Sequence, residues 1–412
     1  MGAAVKRLIL VFLLIVLGAP VLPAVADPQC AGPAGVYTGP VPWAQMLLTP
    51  NKVWSLTNGS GVQVAVLGTG VDPGNGQFAA GQVLPEIDLL NGAPSQPDCD
   101  GQGTFAAGIV AAQPSPGTSF AGLAPGARIL PVRYTATADP QGGADPNLVA
   151  TAIDRAVSAG SGVIVIMVPA ANDSNALQLA VQNATASGDV VVSPAVGSSP
   201  NSTSYPTATP GVLGVGGLGQ TGFAVQAESG SYVALAAPAT NLVGTAPGAR
   251  GQLGQRWPVT GPAYAAAYVA GSVALLRSYQ PGLDPEQITT RLLLTASHNG
   301  GAEHSAQLGW GVVDPDNALT ANLPANAVAP SIGSSVRQTA PRSGPARAAT
   351  NAAPQASGDW SPRRIGLLLL LVLGLAIIVA AVYVTMRRNR SRRSAPTGDK
   401  PPNFPLHVDS NR

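Results

Sequence analysis

The chain has 412 residues, enough for one large domain with appended segments, and its 45% hydrophobic content supports a substantial buried core. The formal net charge is only +2, which argues against nucleic-acid binding because phosphate contacts need a strongly basic surface. Charged residues make up 10% of the chain, and its 49 glycines and 39 prolines predict many loops and at least one unstructured segment.

The first segment, residues 1–26, has the pattern of a secretory signal peptide. Lys6 and Arg7 precede an apolar run over 8–17, and small residues precede a cleavage site after Ala26. The alternative is an uncleaved anchor helix, which is disfavoured because a bilayer span needs about 20 apolar residues. The pattern therefore predicts an exported protein.

Two cysteines, Cys30 and Cys99, fall in the exported part of the chain. An oxidising compartment permits a disulfide there, and an even cysteine count favours a bridge over two separate buried thiols. Such a bridge would hold an N-terminal extension, residues 27–60, on the domain and would stabilise the fold by about 2–4 kcal/mol.

Strand-like apolar runs alternate with helical segments through residues 61–320. This alternation predicts an α/β fold in one domain, with a parallel sheet covered by helices on both faces. The predicted strands are 62–67, 128–133, 162–168, 189–192, 212–215 and 232–235, and the predicted helices are 104–112, 146–159 and 175–187.

The last part of the chain predicts attachment to a cell membrane. Residues 321–362 are rich in Ala, Pro, Ser, Gly and Asn, which is typical of a flexible linker. Residues 365–386 are uncharged, apolar and long enough to cross a hydrocarbon core of about 30 Å, and the arginines on both flanks disfavour the alternative of a buried core helix. More arginines follow this span than precede it, so the tail, 387–412, is predicted to be cytoplasmic and the large domain extracytoplasmic.

Four motifs, in chain order, resemble the catalytic segments of the subtilases, the subtilisin-like serine proteases. Residues 61–71 resemble the first-strand motif, in which an aspartate precedes Thr-Gly, and 98–104 resemble the helix start that carries a histidine between two glycines. Residues 190–198 resemble the strand that ends in the oxyanion-hole asparagine, and 261–271 resemble the helix that opens with the nucleophilic serine. The resemblance implies a subtilisin-like parallel sheet flanked by helices.

The flanking segments resemble one branch of that family, the mycosins, which are membrane-anchored subtilases of actinobacterial type VII secretion systems. Four segments carry this resemblance: Gln29-Cys30, Pro42-Trp43-Ala44-Gln45, Asp98-Cys99-Asp100 and residues 309–315. The chain lacks the second cysteine pair that is usual in mycosins. The resemblance implies that its partners are subunits of a type VII secretion membrane complex.

The positions that would carry subtilase chemistry hold other residues. By resemblance, the aspartate position is Gly68, the histidine position is Gln102, the serine position is Ala263 and the oxyanion asparagine position is Ser198. A methyl group is no nucleophile, an amide takes up no proton near neutral pH, and a glycine cannot orient a base. The Ser198 hydroxyl can still donate a hydrogen bond, but it is shorter than an asparagine amide. We therefore predict a pseudoprotease with no catalytic residues.

Other residues offer little alternative chemistry. Asp98 and Asp100 could suggest a metal site, but they flank a cysteine in a loop, and the resemblance to the family implies a structural role for them. No cofactor and no metal are predicted. The three histidines are expected in solvated loops or, for the last, in the cytoplasm; they are His298, His304 and His407.

Three functions remain open. The first is a non-catalytic subunit that docks on a type VII secretion membrane complex and stabilises it. The second is a peptide-binding module, in which the former substrate cleft holds an extended peptide by strand addition. The third is a subtilase-type serine endopeptidase with residual or unconventional activity. The retained turn glycines Gly70, Gly101, Gly103 and Gly197 favour the first two, since they preserve shape without chemistry.

Overall fold

The structure is a computed structural model that describes residues 30–90, 98–139, 143–225, 227–298, 303–324 and 327–330. The chain divides into two compact units, Met1–Arg337 and Gln338–Arg412, and the described residues all belong to the first. The predicted signal peptide, the greater part of the linker, the predicted span and the tail lie outside them. Within the described ranges, no helix combines the length and the apolar character that a membrane crossing requires.

A seven-stranded sheet forms the centre of the domain. Its strands are β1 Gln63–Gly68, β2 Ile87–Asp88, β3 Arg128–Arg133, β4 Val163–Ile166, β5 Val190–Pro194, β6 Val212–Leu218 and β7 Val233–Pro238. The spatial order is β2-β3-β1-β4-β5-β6-β7, and every neighbouring pair is parallel. Strands β1 and β4 to β7 are buried along their whole length, as expected for a parallel sheet that is covered on both faces. The predicted α/β fold is confirmed.

Helices pack around this sheet. They are α1 Trp43–Leu48, α2 Pro50–Val53, α3 Gln102–Ala111, α4 Pro146–Ser158, α5 Asn175–Ala186, α6 Ala263–Tyr279, α7 Pro285–Leu294 and α8 Pro315–Thr320. One stripe of α4 is buried, with Val149, Ile153 and Ala156 spaced three or four residues apart. Helix α6 is buried on nearly every side and contacts β4 to β7 and α3, which makes it the central helix of the core.

Several elements differ from the sequence pattern, and two of them, a hairpin and the start of α3, lie near the candidate site. An antiparallel hairpin, β8 Leu242–Thr245 with β9 Gln255–Val259, was not predicted. Strand β9 contains Trp257-Pro258 and is only partly buried, so it lacks the apolar alternation that signals a strand. Helix α3 begins two residues before its predicted start, because the side chains of Thr69, Asp98 and Asp100 accept hydrogen bonds from its first N–H groups.

The N-terminal extension is attached to the domain by a disulfide and by two tryptophans. Cys30 and Cys99 are bonded, so the predicted bridge is present and the alternative of separate thiols is wrong. The Trp43 indole N–H donates to the Thr240 carbonyl at 2.7 Å, and the Trp54 indole donates to a carbonyl of the loop before β3 at 2.9 Å. The bridge places the extension beside the loop that leads into α3.

Candidate functional site

A cleft of about 670 Å³ lies at the carboxyl ends of the central strands. Ligands of parallel α/β sheets bind at this edge, because the loops that follow neighbouring strands converge there. The walls come from the loops after β4 and β5, from residues 202–204, and from the start of α6. This cleft is the candidate site.

All four positions identified by resemblance meet at this cleft. Gln102, Ser198 and Ala263 line it. Gly68, the last residue of β1, lies behind Gln102: a Cβ added to Gly68 would be 3.8 Å from the Gln102 side-chain oxygen and 3.1 Å from the Met167 Cβ. The fold therefore brings together the positions that the resemblance assigns to the triad, which hold a glycine, a glutamine and an alanine.

Asp98 holds the beginning of α3 in place. Its side chain is fully buried and accepts hydrogen bonds from the Gly101 N–H at 2.9 Å, the Thr104 N–H at 2.8 Å and the Thr104 hydroxyl at 2.8 Å. Burial raises the pKa of this carboxyl, while the hydrogen bonds lower it. These contacts agree with the structural role predicted for Asp98.

Asp100 has a similar structural role on the outer side of the same loop. One carboxylate oxygen accepts from the Gln102 N–H at 3.2 Å, and the other accepts from the Ala138 N–H at 3.0 Å. Within the described ranges, no group of three or more His, Cys, Asp or Glu side chains is placed to hold a metal ion.

The Gln102 side chain stands at the position that, by resemblance, would hold the general base. The residue is 6% exposed, and its side-chain oxygen is buried without a hydrogen-bond partner in the described part of the chain. A catalytic histidine at this point needs an acceptor behind it to orient the ring, and Gly68 supplies none. An amide also cannot carry a proton between nucleophile and leaving group.

Ala263 is the first residue of α6 and presents a methyl group to the cleft. Its N-cap, Pro262, makes no side-chain capping bond, and Ala263 is 8% exposed. Ser198 lies on the loop after β5 and is exposed. The cleft thus has a small apolar side chain where, by resemblance, a nucleophile would stand, and the Ser198 hydroxyl belongs to a different lining loop.

A buried carboxyl that the sequence reasoning missed positions the loop carrying Ser198. Glu228 is 2% exposed and accepts from the Gly197 N–H at 2.8 Å and from the Ser204 hydroxyl at 2.7 Å. Burial raises the pKa of Glu228. A Cβ at Gly197 would lie 2.5 Å from the Glu228 carboxylate, so a larger residue here would displace that carboxylate. The only signal in the sequence was a lone acid in a segment rich in small residues.

The predicted environment of the histidines is partly wrong. His298 is exposed, as predicted, but His304 is half-buried: its Nε2 lies 2.7 Å from the Val233 carbonyl and its ring packs edge-on against Trp310. The reason is that residues 309–313 bind along β7 and draw the preceding loop onto the sheet. Neither histidine lines the cleft, and His407 lies outside the described residues.

Glu86 lies beside the turn that follows β1. One carboxylate oxygen accepts from the Val71 N–H at 3.1 Å, while the other is buried without a partner in the described ranges. Burial raises the pKa of Glu86 from 4.5 to about 7. The folded state therefore takes up a proton that the unfolded state has released, and Glu86 makes the fold less stable as pH rises from about 4.5 to about 7.

We expect Glu86→Gln to remove this pH dependence. The amide keeps an acceptor for the Val71 N–H and carries no charge to bury, so the variant should gain stability relative to the native chain at pH 8 and not at pH 4. Denaturant unfolding at both pH values measures the difference. Glu303→Gln, on an exposed glutamate, is the matched control. An equal effect of Glu86→Gln at both pH values would contradict the assignment.

Comparison with known sequences agrees with the geometry of the site. The profile of the subtilase family matches residues 59–311. Mycosin-3 of Mycobacterium tuberculosis is 30% identical to this chain, across 91% of the chain and 94% of the relative. Mycosin-1 of the same organism is 34% identical, across 69% of the chain and 74% of the relative.

Solved structures of related proteins are also similar to this chain. The crystal structure of MycP1 from Mycobacterium smegmatis superposes with a TM-score of 0.62 at 30% identity, covering 73% of this chain and 91% of that one. A chain of the intact ESX-5 inner membrane complex superposes with a TM-score of 0.62 at 26% identity, covering 87% of this chain and 94% of that one.

Proposed function

The chain belongs to the subtilase family, in its mycosin branch, and from that premise we propose that it is a non-catalytic structural subunit of a type VII secretion membrane complex. One observation carries the proposal: a single cleft gathers the triad positions, and their side chains are those of Gly68, Gln102 and Ala263. The related MycP1 is described as an essential component of the type VII (ESX-1) secretion system, and another relative is part of the ESX-5 inner membrane complex.

The magnitude of the chemical loss supports a non-catalytic role. In subtilisin, a member of the same family, removing the whole triad lowers kcat by roughly 10⁶-fold. Loss of an oxyanion-hole donor costs about 10²–10³-fold when the triad is intact. With Ser198 at the oxyanion position, the cleft retains only binding and weak polarisation.

The retained frame supports a role in binding. Gly103 remains where a Cβ would lie 2.0 Å from the Gly70 carbonyl oxygen, so the approach of α3 to the end of β1 depends on this glycine. The overall fold is also similar to that of MycP1, with a TM-score of 0.62. A surface that docks on other subunits needs this shape and does not need the triad.

Membrane attachment belongs to the same proposal. The signal peptide at 1–26 and the apolar span at 365–386 would place the domain on the extracytoplasmic face, with the arginine-rich tail in the cytoplasm. The match to a chain of an inner membrane complex across 87% of this chain supports this arrangement.

A second candidate function is peptide binding in the cleft. The observation that favours it is that the cleft remains open: the replaced positions carry small or polar side chains, and Ala170, Ala171 and Gly197 add no bulk to its walls. An extended peptide could add to the exposed backbone of these loops. This function is compatible with a structural role in a complex.

Affinity purification of the tagged full-length chain from solubilised membranes tests the proposal. We expect it to recover other components of a type VII secretion machine; recovery of none would contradict the proposal. Ser198→Trp, which fills the cleft, separates the two candidates, and Thr221→Trp on an exposed turn outside the cleft is its control. Loss of partners with Ser198→Trp alone would favour recognition through the cleft, whereas unchanged recovery would favour the outer surface.

A further inference from the structure

A second groove, separate from the cleft, lies between the end of α5, the loop before β6 and the start of α7. Its volume is about 760 Å³, and it shares no lining residue with the cleft. The apolar part of its wall includes Ala186, Val190, Ala208, Pro210 and Val212. The charged residues that line it are both acidic, Asp284 and Glu286. The groove therefore suits a segment with apolar side chains and a positive charge.

The chain that follows α8 runs toward this groove along α7. The Arg291 guanidinium donates to the carbonyls of Ala318 and Ala321, which fixes the exit from α8. Beyond this point, Leu323, Pro324 and Ala327 line a crevice with the outer face of α7. Residues 321–324 and 327–330, which belong to the predicted linker, are thus in contact with the domain.

Ala329 brings this segment into the groove itself. It is one of the residues that line the groove, and it packs against the main hydrophobic core. The described residues end one position later, at Pro330. The chain that continues from Pro330 therefore starts at the groove, with the apolar wall and the acidic rim within reach.

We propose that residues 331–337, with the sequence Ser-Ile-Gly-Ser-Ser-Val-Arg, occupy this groove as a strap. In an extended segment, Ile332 and Val336 lie on the same side because side chains alternate with a period of two. That side faces the apolar wall, and Arg337 on the other side meets Glu286 at the rim. Seven extended residues span about 23 Å, which is enough to cross the groove.

Charge and connectivity favour this occupant over a separate molecule. Asp284 is already engaged in capping α7, whereas Glu286 makes no ion pair within the described ranges. Between 331 and 358 the chain carries arginines and no acidic residue, with Arg337 first among them. A covalently attached segment also avoids the translational entropy that a separate partner loses on binding.

The strap would shorten the free tether between the domain and the predicted span. Because residues 327–330 already contact the domain, a tether that begins at 338 instead of 331 reduces the root-mean-square reach of a flexible chain to 362 from about 31 Å to about 28 Å. The domain would then be held closer to the membrane surface. This consequence rests on the proposed membrane attachment, but occupation of the groove does not.

Hydrogen–deuterium exchange on the full-length chain in detergent tests the strap. In the native chain we expect slow exchange at the end of α5, residues 182–186, and at the start of α7, residues 285–289. Ile332→Asp should raise exchange at both by roughly fivefold, because local opening governs exchange at such sites. Val328→Asp is the matched control, since Val328 is 82% exposed and does not line the groove.

A charge exchange tests the contact between Arg337 and Glu286. Arg337→Glu and Glu286→Arg should each speed exchange at 285–289, and the double variant should restore slow exchange. If Ile332→Asp leaves the exchange rates unchanged, residues 331–337 do not cover the groove and the proposal is overturned. The same conclusion holds if another molecule protects the groove. Because the isolated chain is measured, this failure is distinct from failure to recover secretion components by affinity purification.

Discussion

A fluorophosphonate probe is expected not to label the purified native domain, because Ala263 offers no hydroxyl oxygen at the nucleophile position. The three changes Gly68→Asp, Gln102→His and Ala263→Ser together should restore labelling, since the fold already holds these positions around one cleft. The expected gain in labelling rate is bounded by the triad's contribution in subtilisin, which is roughly 10⁶-fold in kcat. Intact-mass spectrometry after labelling, followed by peptide mapping, measures it.

Partial restorations sharpen this expectation. Ala263→Ser alone should stay unreactive, because loss of the base in subtilisin costs about as much as loss of the whole triad. Asp at position 68 requires a small shift of Met167, whose Cβ would be 3.1 Å from the new Cβ, so the triple variant should regain only part of the rate. Adding Ser198→Asn should raise it further by supplying the longer oxyanion donor.

A variant at Ser198 controls for labelling at a hydroxyl other than the one introduced at position 263. Ser198 is an exposed hydroxyl that lines the cleft, so Ser198→Ala distinguishes unconventional chemistry at that residue from background. Clear, site-specific labelling of the native domain would overturn the non-catalytic assignment and would favour a protease of unconventional mechanism. Labelling that is lost in Ser198→Ala would identify its nucleophile.

Removal of the disulfide is expected to have the largest effect on stability. Replacing Cys30 and Cys99 together by alanine should lower the free energy of unfolding by about 2–4 kcal/mol, because the unfolded chain is freed from a loop closed across 69 residues. Chemical denaturation of the double variant against the native domain measures the loss. The native domain in reducing buffer is the matched control and should show the same loss.

The same replacement should also loosen the start of α3. Cys99 lies between Asp98 and Asp100, whose carboxylates accept hydrogen bonds from the first N–H groups of that helix. The Cys99 carbonyl accepts from the Ala31 N–H at 2.7 Å, so the extension covers this loop directly. Faster amide exchange at 101–104 in the variant is the expected result. A variant with native stability and native exchange would show that the tryptophan anchors alone hold the extension.

Several elements could be predicted from the sequence because their signals are local. Strand β3 was predicted over the residues it occupies, and α4 and α5 to within one residue at either end, since apolar periodicity and the capping side chains of Asp145 and Ser174 mark them. The hairpin of β8 and β9 could not be predicted in this way, because β9 is a half-exposed strand without alternation. The early start of α3 depends on Thr69 and Asp98, which lie outside the helix.

The sequence, through its resemblance to the subtilases, was enough to predict which side chains stand at the triad positions, because whether a side chain has a nucleophilic oxygen or a titratable nitrogen is a property of that residue. Only the tertiary structure decided what lies around them. The fold brings Gly68 and Gln102 to the cleft that Ser198 and Ala263 share, buries Glu228 beneath its rim, and places His304 against Trp310. Proximity and burial arise from contacts between residues far apart in the chain, and burial sets the raised pKa values of Glu86 and Glu228.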